Sequence, residues 1–313
     1  MNEQVNIKLY ELTQDCRISH LQLGKKVSLS KNGVDYKIQR MEHEGLIQGY
    51  FAQIDLPNYC TRELFLKLSM TEEETSTFIQ HLCALPFVII VDELSGDWDL
   101  ILEMTHPLND FFPALLNQIL EPFSKNIVQY QVHEVAKFYF QNMLPIRKDF
   151  FPENLPKPSS FSTLVPDKTD HKLLALLDEN ATLQFREMAD RIGLTYETVS
   201  ARIKHLKEAG IIRRFLAKIN VGVLGLNMYF VWLNFHLFNE EQRLVQYLRS
   251  KKEIRACFKS ANSPTLFIYY VAASISDLDS FLRELRSQFK DTLSSMSYFY
   301  SKRQHKYNLY PRA

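Results

Sequence analysis

Two stretches of the chain set polar, basic and aromatic residues at helical spacing beside an apolar stripe. In the first, Lys31, Asn32, Tyr36, Lys37 and Arg40 are interleaved with Val34, Ile38 and Met41. In the second, Tyr196, Glu197, Ser200, Arg202, Lys204 and His205 are interleaved with Val199, Ile203 and Leu206. Apolar residues at i, i+4 and i+7 share one buried face, so their neighbours point outward. An asparagine can pair with an adenine edge, an arginine fork with guanine, and a lysine grips phosphate. The chemistry expected of both stretches is therefore contact with double-stranded DNA in the major groove, with Arg213 and Arg214 just downstream gripping its backbone. The plain alternative is a pair of solvated helix faces on a module that serves assembly. Asp35 and Glu197 are acids in a phosphate-facing surface, so a modest affinity and a shallow salt dependence are expected.

A second constellation is the run Gly96, Asp97, Trp98 and Asp99. Glycine permits a backbone turn with positive φ, and a carboxylate there can meet an amino group. That gives an expected effector pocket for an amino acid or a similar small molecule. A purely structural hairpin, with Asp bonded to its own backbone, explains the run equally well. Other chemistry is not legible. The nine histidines form no ligand pairs with acidic company, and the four cysteines, Cys16, Cys60, Cys83 and Cys257, are scattered without metal-ligand spacing. No glycine-rich phosphate loop and no Ser-His-Asp or Cys-His arrangement can be read. No metal, no cofactor and no catalytic residue is expected, so the chain reads as a non-enzyme. Tyr298, Phe299 and Tyr300 read as core and edge packing of a strand, as do Tyr269 and Tyr270.

The elements that must position these residues occur twice. Leu9, Leu12, Leu29, Val34, Ile38, Gly45, Ile47 and Ala52 recur, without a gap, as Leu174, Leu177, Leu194, Val199, Ile203, Gly210, Ile212 and Ala217. Each copy reads as three helices. In copy one, Leu9 and Leu12 mark the first helix, His20–Val27 is the second, and Ser30 caps the third, which Gly45 ends. In copy two, Asp170 caps a helix bearing Leu173, Leu174, Leu176 and Leu177. Phe185–Ile192 comes next, and Thr195 caps the helix that Gly210 ends. That is a helix-turn-helix plan, with Leu46–Ile54 and Ile211–Ile219 adding wing strands.

Downstream of each reader, strands and helices alternate in the order β-α-β-β-α-β, a ferredoxin-like plan. In copy one the strand with Leu64, Leu66, Leu68 and Met70 on one face carries Glu63, Lys67 and Ser69 on the other. Thr71–Leu85 is then helical, Phe87–Leu94 and Asp97–Thr105 form a hairpin, Leu108–Phe123 is helical and Ile127–Tyr139 is the last strand. Copy two gives strand Asn227–Leu237, helix Glu240–Lys251, strands Ile254–Ser260 and Leu266–Ala272, helix Ile275–Phe289 and strand Leu293–Arg303. The fold class is α+β, and the expected domains are 1–55 and 169–222 (winged helix-turn-helix), 56–140 and 223–313 (ferredoxin-like effector domains), and a linker at 141–168. Five of the twelve prolines fall in that linker.

Charge divides the copies. Residues 56–140 carry four basic and twelve acidic side chains, whereas 223–313 carry thirteen and seven, so −8 faces +6. Each ferredoxin-like sheet has an open face that needs cover, and unlike charges favour covering one copy with the other. An internal pseudo-dimer is expected, open to further homo-oligomerisation. No apolar run approaches membrane-spanning length, Phe87–Val91 and Met228–Leu233 being strand-sized. The start, MNEQVNIKLYEL, lacks a basic residue ahead of an apolar core. No membrane partner and a reduced cytoplasmic setting are expected.

With these residues in place, the chain resembles the Lrp/AsnC family of leucine-responsive and feast/famine regulators. The stretches are RISHLQLGKKVSLSKNGVDYKIQRMEHEGLIQGYFAQID and TLQFREMADRIGLTYETVSARIKHLKEAGIIRRFLAKIN, together with LSGDWDLIL at Leu94–Leu102. In the last, Gly96, Asp97, Trp98 and Asp99 match a Gly-Asp-aromatic-Asp turn of the family's effector domain. The resemblance implies a transcription regulator that binds DNA as a dimer or larger ring, often tuned by an amino acid. Two departures stand out. The copies are fused in one chain, and the second has Ser260-Ala261-Asn262-Ser263-Pro264-Thr265 where the acidic turn belongs. The two readers differ at their exposed positions, so an operator of two unlike half-sites is expected. Siroheme decarboxylases are similar in architecture and also occur as two fused halves, but they would need His and Arg near a hairpin that here carries Asp92, Glu93, Asp97 and Asp99. A scaffold or corepressor without DNA binding is the remaining alternative, kept open by the neutral first reader.

Overall fold

The computed structural model describes residues 11–12, 14–141, 164–236 and 240–311. Leu9, most of the first helix of copy one and most of the proline-rich segment lie outside the described residues. The helices are α1 (His20–Lys26), α2 (Lys31–His43), α3 (Glu72–Ala84), α4 (Phe112–Leu120), α5 (Lys168–Glu179), α6 (Phe185–Ile192), α7 (Tyr196–Glu208), α8 (Glu241–Arg249) and α9 (Ile275–Gln288). The strands are β1 (Ile47–Ile54), β2 (Tyr59–Leu68), β3 (Val88–Ser95), β4 (Leu100–Pro107), β5 (Ile127–Gln141), β6 (Ile212–Ile219), β7 (Asn227–Phe235), β8 (Ile254–Ser260), β9 (Thr265–Ala272) and β10 (Leu293–Tyr307). The chain divides into two compact units, each built from both copies. One holds the helix-turn-helix segments, up to Pro57 in copy one and Gly225 in copy two. The other begins at Asn58 in copy one and takes Leu226–Tyr307 from copy two.

In the first unit, local chemistry sets the helix ends. The Ser30 side chain accepts the Gly33 amide at the start of α2, and the Thr195 side chain accepts that of Thr198 at the start of α7. Gly45 and Gly210 come after these helices at φ +70° and +73°, a conformation that disfavours a side chain. One cap differs from expectation. Asp167, not Asp170, caps α5, its Oδ1 accepting the Thr169 and Asp170 amides at 2.8 Å. Asp170 is the third helical residue and accepts the Asp167 amide in return, the reciprocal bond of a capping box. Each wing strand finds its partner in the other copy: β1 and β6 pair antiparallel as one two-stranded sheet, with Ala52 opposite Phe215 and Tyr50 opposite Ala217.

Arg17 staples the same seam. Its Nε donates to the Ala181 carbonyl at 2.6 Å and its Nη2 to that of Leu183, while the guanidinium lies 4.6 Å from the Phe185 ring centroid and 5.0 Å from that of Phe215. Two carbonyls and two aromatic rings suit a planar fork that lysine lacks. We expect Arg17→Ala to destabilise this unit by about 2 kcal/mol, the scale of a half-buried charged hydrogen-bonding group with its ring contacts. Loss of hydrogen-exchange protection in β1 and β6, not rescued by Arg17→Lys, is the expected readout; unchanged protection would show the staple to be idle.

The second unit is a closed eight-stranded barrel in the order β10-β3-β4-β2-β5-β8-β9-β7. The two ferredoxin-like sheets do cover each other, but they also join at their edges, because β5 and β10 are each 15 residues long. The first part of β5 pairs with β2, and beyond Val135 it pairs with β8. β10 pairs with β7 as far as Tyr300 and then with β3. An exposed sheet edge is a liability that closure removes. The barrel interior is an aromatic cluster of Phe65, Trp98, Phe230, Trp232, Phe258, Phe267 and Phe299 with Leu94 and Ile101. Outside it, α3 and α4 cover Leu64, Leu66, Val88 and Leu102, and α8 and α9 cover Val231, Leu233, Ile268 and Tyr270.

Closure buries an acid. Glu63, on the face of β2 opposite Leu64 and Leu66, is only 1% exposed. The strand alternation holds, and this second face lines the barrel. There Tyr269 Oη donates to Glu63 Oε1 at 2.6 Å, so Tyr269 is more than packing. Glu103 stands opposite Glu63 in the ladder, and Asp92 accepts from Ser301 Oγ at 3.0 Å and Gln304 Nε2 at 3.1 Å.

Candidate functional site

The residues expected to contact DNA sit on α2 and α7 and on the strand after α7. On α2, Val34, Ile38 and Met41 are buried, and Lys31, Asn32, Tyr36 and Arg40 are exposed, with Lys37 half-buried. Asp35 is paired with His20 of α1, so this acid holds the two helices together. Arg40 Nε meets Glu44 Oε1 at 2.7 Å on the helix surface, a pair weak enough to open. On α7, Val199, Ile203 and Leu206 are buried, Tyr196, Glu197, Lys204 and His205 are exposed, and Ser200 is half-buried. Lys204 lies 3.8 Å from Glu208.

Three more of the expected contact residues have partners on other elements of the protein. Arg202 Nη1 donates to Asp167 Oδ2 at 2.8 Å and Asp170 Oδ1 at 2.9 Å, tying α7 to the start of α5. Arg213 pairs with Asp55, and Arg214 Nε donates to Gln53 Oε1 at 3.0 Å, both across the β1–β6 seam. Their partners come from another helix or the other copy, which the spacing of basic residues along the chain does not reveal.

The Gly96–Asp99 turn divides in the same way. Asp99 Oδ2 accepts the Leu68 amide at 2.7 Å and its own amide donates to the Leu66 carbonyl at 2.9 Å, so Asp99 pins the turn to β2. Trp98 is buried in the barrel, its ring centroid 6.0 Å from Phe65 and 6.3 Å from Trp232. Gly96 takes φ +132°, close against Phe299 and the Tyr298 carbonyl. Gly96 and the exposed Asp97 border a cavity of about 530 Å³, lined also by Ser95, Asn227, Tyr229, Ile275, Tyr298 and Tyr300. The cavity thus spans the copies, because Ser95 is opposite Tyr300 in the β3–β10 pairing. Tyr298 and Tyr300 are 41% and 36% exposed, whereas Phe299 between them is 1% exposed. Strand alternation around Phe299 is the signal that could have separated the two cavity tyrosines from the core.

A family model for winged helix-turn-helix DNA binding matches residues 9–48 and again residues 166–213. The leucine-responsive regulatory proteins of Salmonella typhimurium and Escherichia coli are each 32% identical over 117 residues, an alignment covering 36% of this chain and 71% of the relative. The chain belongs to the Lrp/AsnC family. Its fused arrangement fits the two helix-turn-helix matches. Among solved structures, the siroheme decarboxylase NirDL is similar over 99% of this chain and 94% of its own, with a TM-score of 0.67 and 14% identity. That likeness is one of fold. As an Lrp/AsnC protein with two such heads, the chain is a DNA-binding transcription regulator, and no helix among the described residues is long and apolar enough to cross a membrane.

Proposed function

We propose that this Lrp/AsnC protein acts as a single-chain pseudo-dimer whose two heads read one operator with two unlike half-sites. The observation that carries the reading is the pair of capped recognition helices in one compact unit, presenting different exposed residues. Lys31, Asn32, Tyr36, Lys37 and Arg40 form the first reading face, and Tyr196, Glu197, Ser200, Lys204 and His205 the second. Arg202, Arg213 and Arg214 support these faces rather than contacting DNA. The cavity at Gly96 and Asp97 takes the effector, with Trp98 and Asp99 holding its turn.

Selection of bound duplexes from a random pool at two salt concentrations tests this. The expected result is an asymmetric site; a perfect inverted repeat would overturn the unlike half-sites, and no enrichment would favour the scaffold. Lys31→Ala and Lys37→Ala are each expected to reduce the slope of log K against log salt by about 1, with sequence preference kept. A tetrapyrrole enzyme finds less support, since among the described residues no Lys, Arg or His lines the cavity to meet carboxylates. A Soret band in the purified protein would revive it.

A further inference from the structure

The cavity between the Ser95–Asp97 turn and β7, β10 and α9 has a lining whose chemistry selects among small molecules. Among the described residues it carries one carboxylate, Asp97, three tyrosines, Tyr229, Tyr298 and Tyr300, the amide of Asn227 and no cationic side chain. The tyrosines form a connected group: the Tyr229 ring centroid is 5.7 Å from that of Tyr300, at 52° between planes, and 6.5 Å from that of Tyr298, at 77°. Aromatic faces are negative and attract ammonium groups. Lys302, two residues beyond Tyr300 on β10, lies 3.6 Å from Glu93 and does not line the cavity.

The one local feature that would favour an anion is the start of α9, whose first residue, Ile275, borders the cavity. That terminus is closed from within. Ser274 Oγ accepts the Asp277 amide, and Asp277 Oδ2 accepts the Ser274 amide at 2.9 Å. Asp277 thereby adds negative charge where the helix would add positive. The field at Tyr229 agrees in sign. Burial first, and then Tyr300, Tyr298, Asp277 and Asp279, raise its hydroxyl above the usual tyrosine range.

We propose that this cavity binds a small organic amine, an ammonium group with an apolar tail and no carboxylate, rather than an amino acid. The ammonium meets Asp97 and the tyrosine faces, and the tail lies along Ile275. A free amino acid would bring a carboxylate into a site where no described residue offers a side-chain cation to receive it and where Asp97 repels it. The proposal rests on reading the cavity as an effector pocket and narrows that reading to a ligand class.

Calorimetric titration of the full chain with 3-methylbutylamine, tetramethylammonium and L-leucine tests it, the first and last differing by one carboxylate. Both cations are expected to bind, and leucine to bind at least about tenfold more weakly, a gap of about 1.4 kcal/mol. Asp97→Asn and Tyr300→Leu are each expected to weaken amine binding by about tenfold, while Tyr300→Phe, which keeps the ring, restores it. Leucine binding more tightly than the amine, with dependence on Asp97, would overturn the ligand class and leave the effector pocket standing. Amine affinity unchanged in both Asp97→Asn and Tyr300→Leu would place the site elsewhere and overturn the proposal. Binding of none of the three probes would remove the pocket reading together with it.

Discussion

Replacing Phe65 with alanine is expected to destabilise the barrel by about 3–5 kcal/mol, the range for truncating a fully buried phenylalanine. Phe65 is the hub of the interior. Its ring centroid lies 4.7 Å from Trp232, 5.9 Å from Phe299, 6.0 Å from Trp98, 6.1 Å from His133 and 6.2 Å from Phe267. These partners come from both copies, so the cavity left behind would open at the centre of the barrel and not within one half. Relaxation is limited, because the surrounding strands form a closed ladder. The two tryptophans of the chain, Trp98 and Trp232, both lie in this cluster, so urea unfolding tracked by their emission reports on the barrel. The expected outcome is a lower midpoint at unchanged m-value, with Phe65→Leu intermediate. A shift equivalent to less than about 1 kcal/mol would mean that the interior tolerates a void and that the packing argument fails.

The second large effect is one of pH. Burial, and then Asp92, push the Glu103 carboxyl up to about 7, from a usual value of 4.5. Glu63, opposite it, is raised well above its usual range by burial and then by Glu103, against the lowering effect of Tyr269. A carboxyl whose folded value exceeds its unfolded one holds its proton more tightly in the native state. Stability is therefore lost as pH rises from about 4.5 to about 7, by about 3 kcal/mol for Glu103 alone. His133 works in the opposite direction. Burial lowers it to about 4, so its contribution is present above 6.5 and is lost as pH falls toward 4. Between these limits the His133 slope offsets that of only one of the two carboxyls, so net stability falls as pH rises.

Glu103→Gln is expected to stabilise the protein by about 2–3 kcal/mol at pH 8 and to leave it unchanged at pH 4, where the carboxyl is protonated in both states. The Glu63 carboxyl, raised mainly by burial, still opposes His133 in the variant, so its stability should change little with pH between about 4.5 and 6.5. Chemical denaturation at a series of pH values reads both. Equal gains at pH 4 and pH 8 would show that the effect is one of packing and not of the proton.

Much of the secondary structure was legible in the sequence. The 165-residue repeat, the apolar stripes and the glycines that stop α2 and α7 place both helix-turn-helix heads, since each signal acts within one or two turns of chain. The strand alternation likewise separates Leu64 and Leu66 from Phe65. Less of the site was legible. Arg202 and Arg213 look alike as exposed cations until Asp170 and Asp55 are brought to them. Asp97 and Asp99 sit two residues apart in one turn, yet one borders a cavity and the other bonds the Leu68 amide.

A duplicated α+β chain with two capped helix-turn-helix heads follows from local sequence, because caps, periodicity and repeats are each read from the residues themselves. Long-range packing set the rest: β5 and β10 hand over from one copy to the other, Glu63 faces a closed interior, and three tyrosines of copy two share a cavity with a carboxylate of copy one. Those outcomes depend on which strands pair across distant parts of the chain. Pairing is governed by the closure of edges and the burial of whole faces, and neither is encoded in any short window of residues.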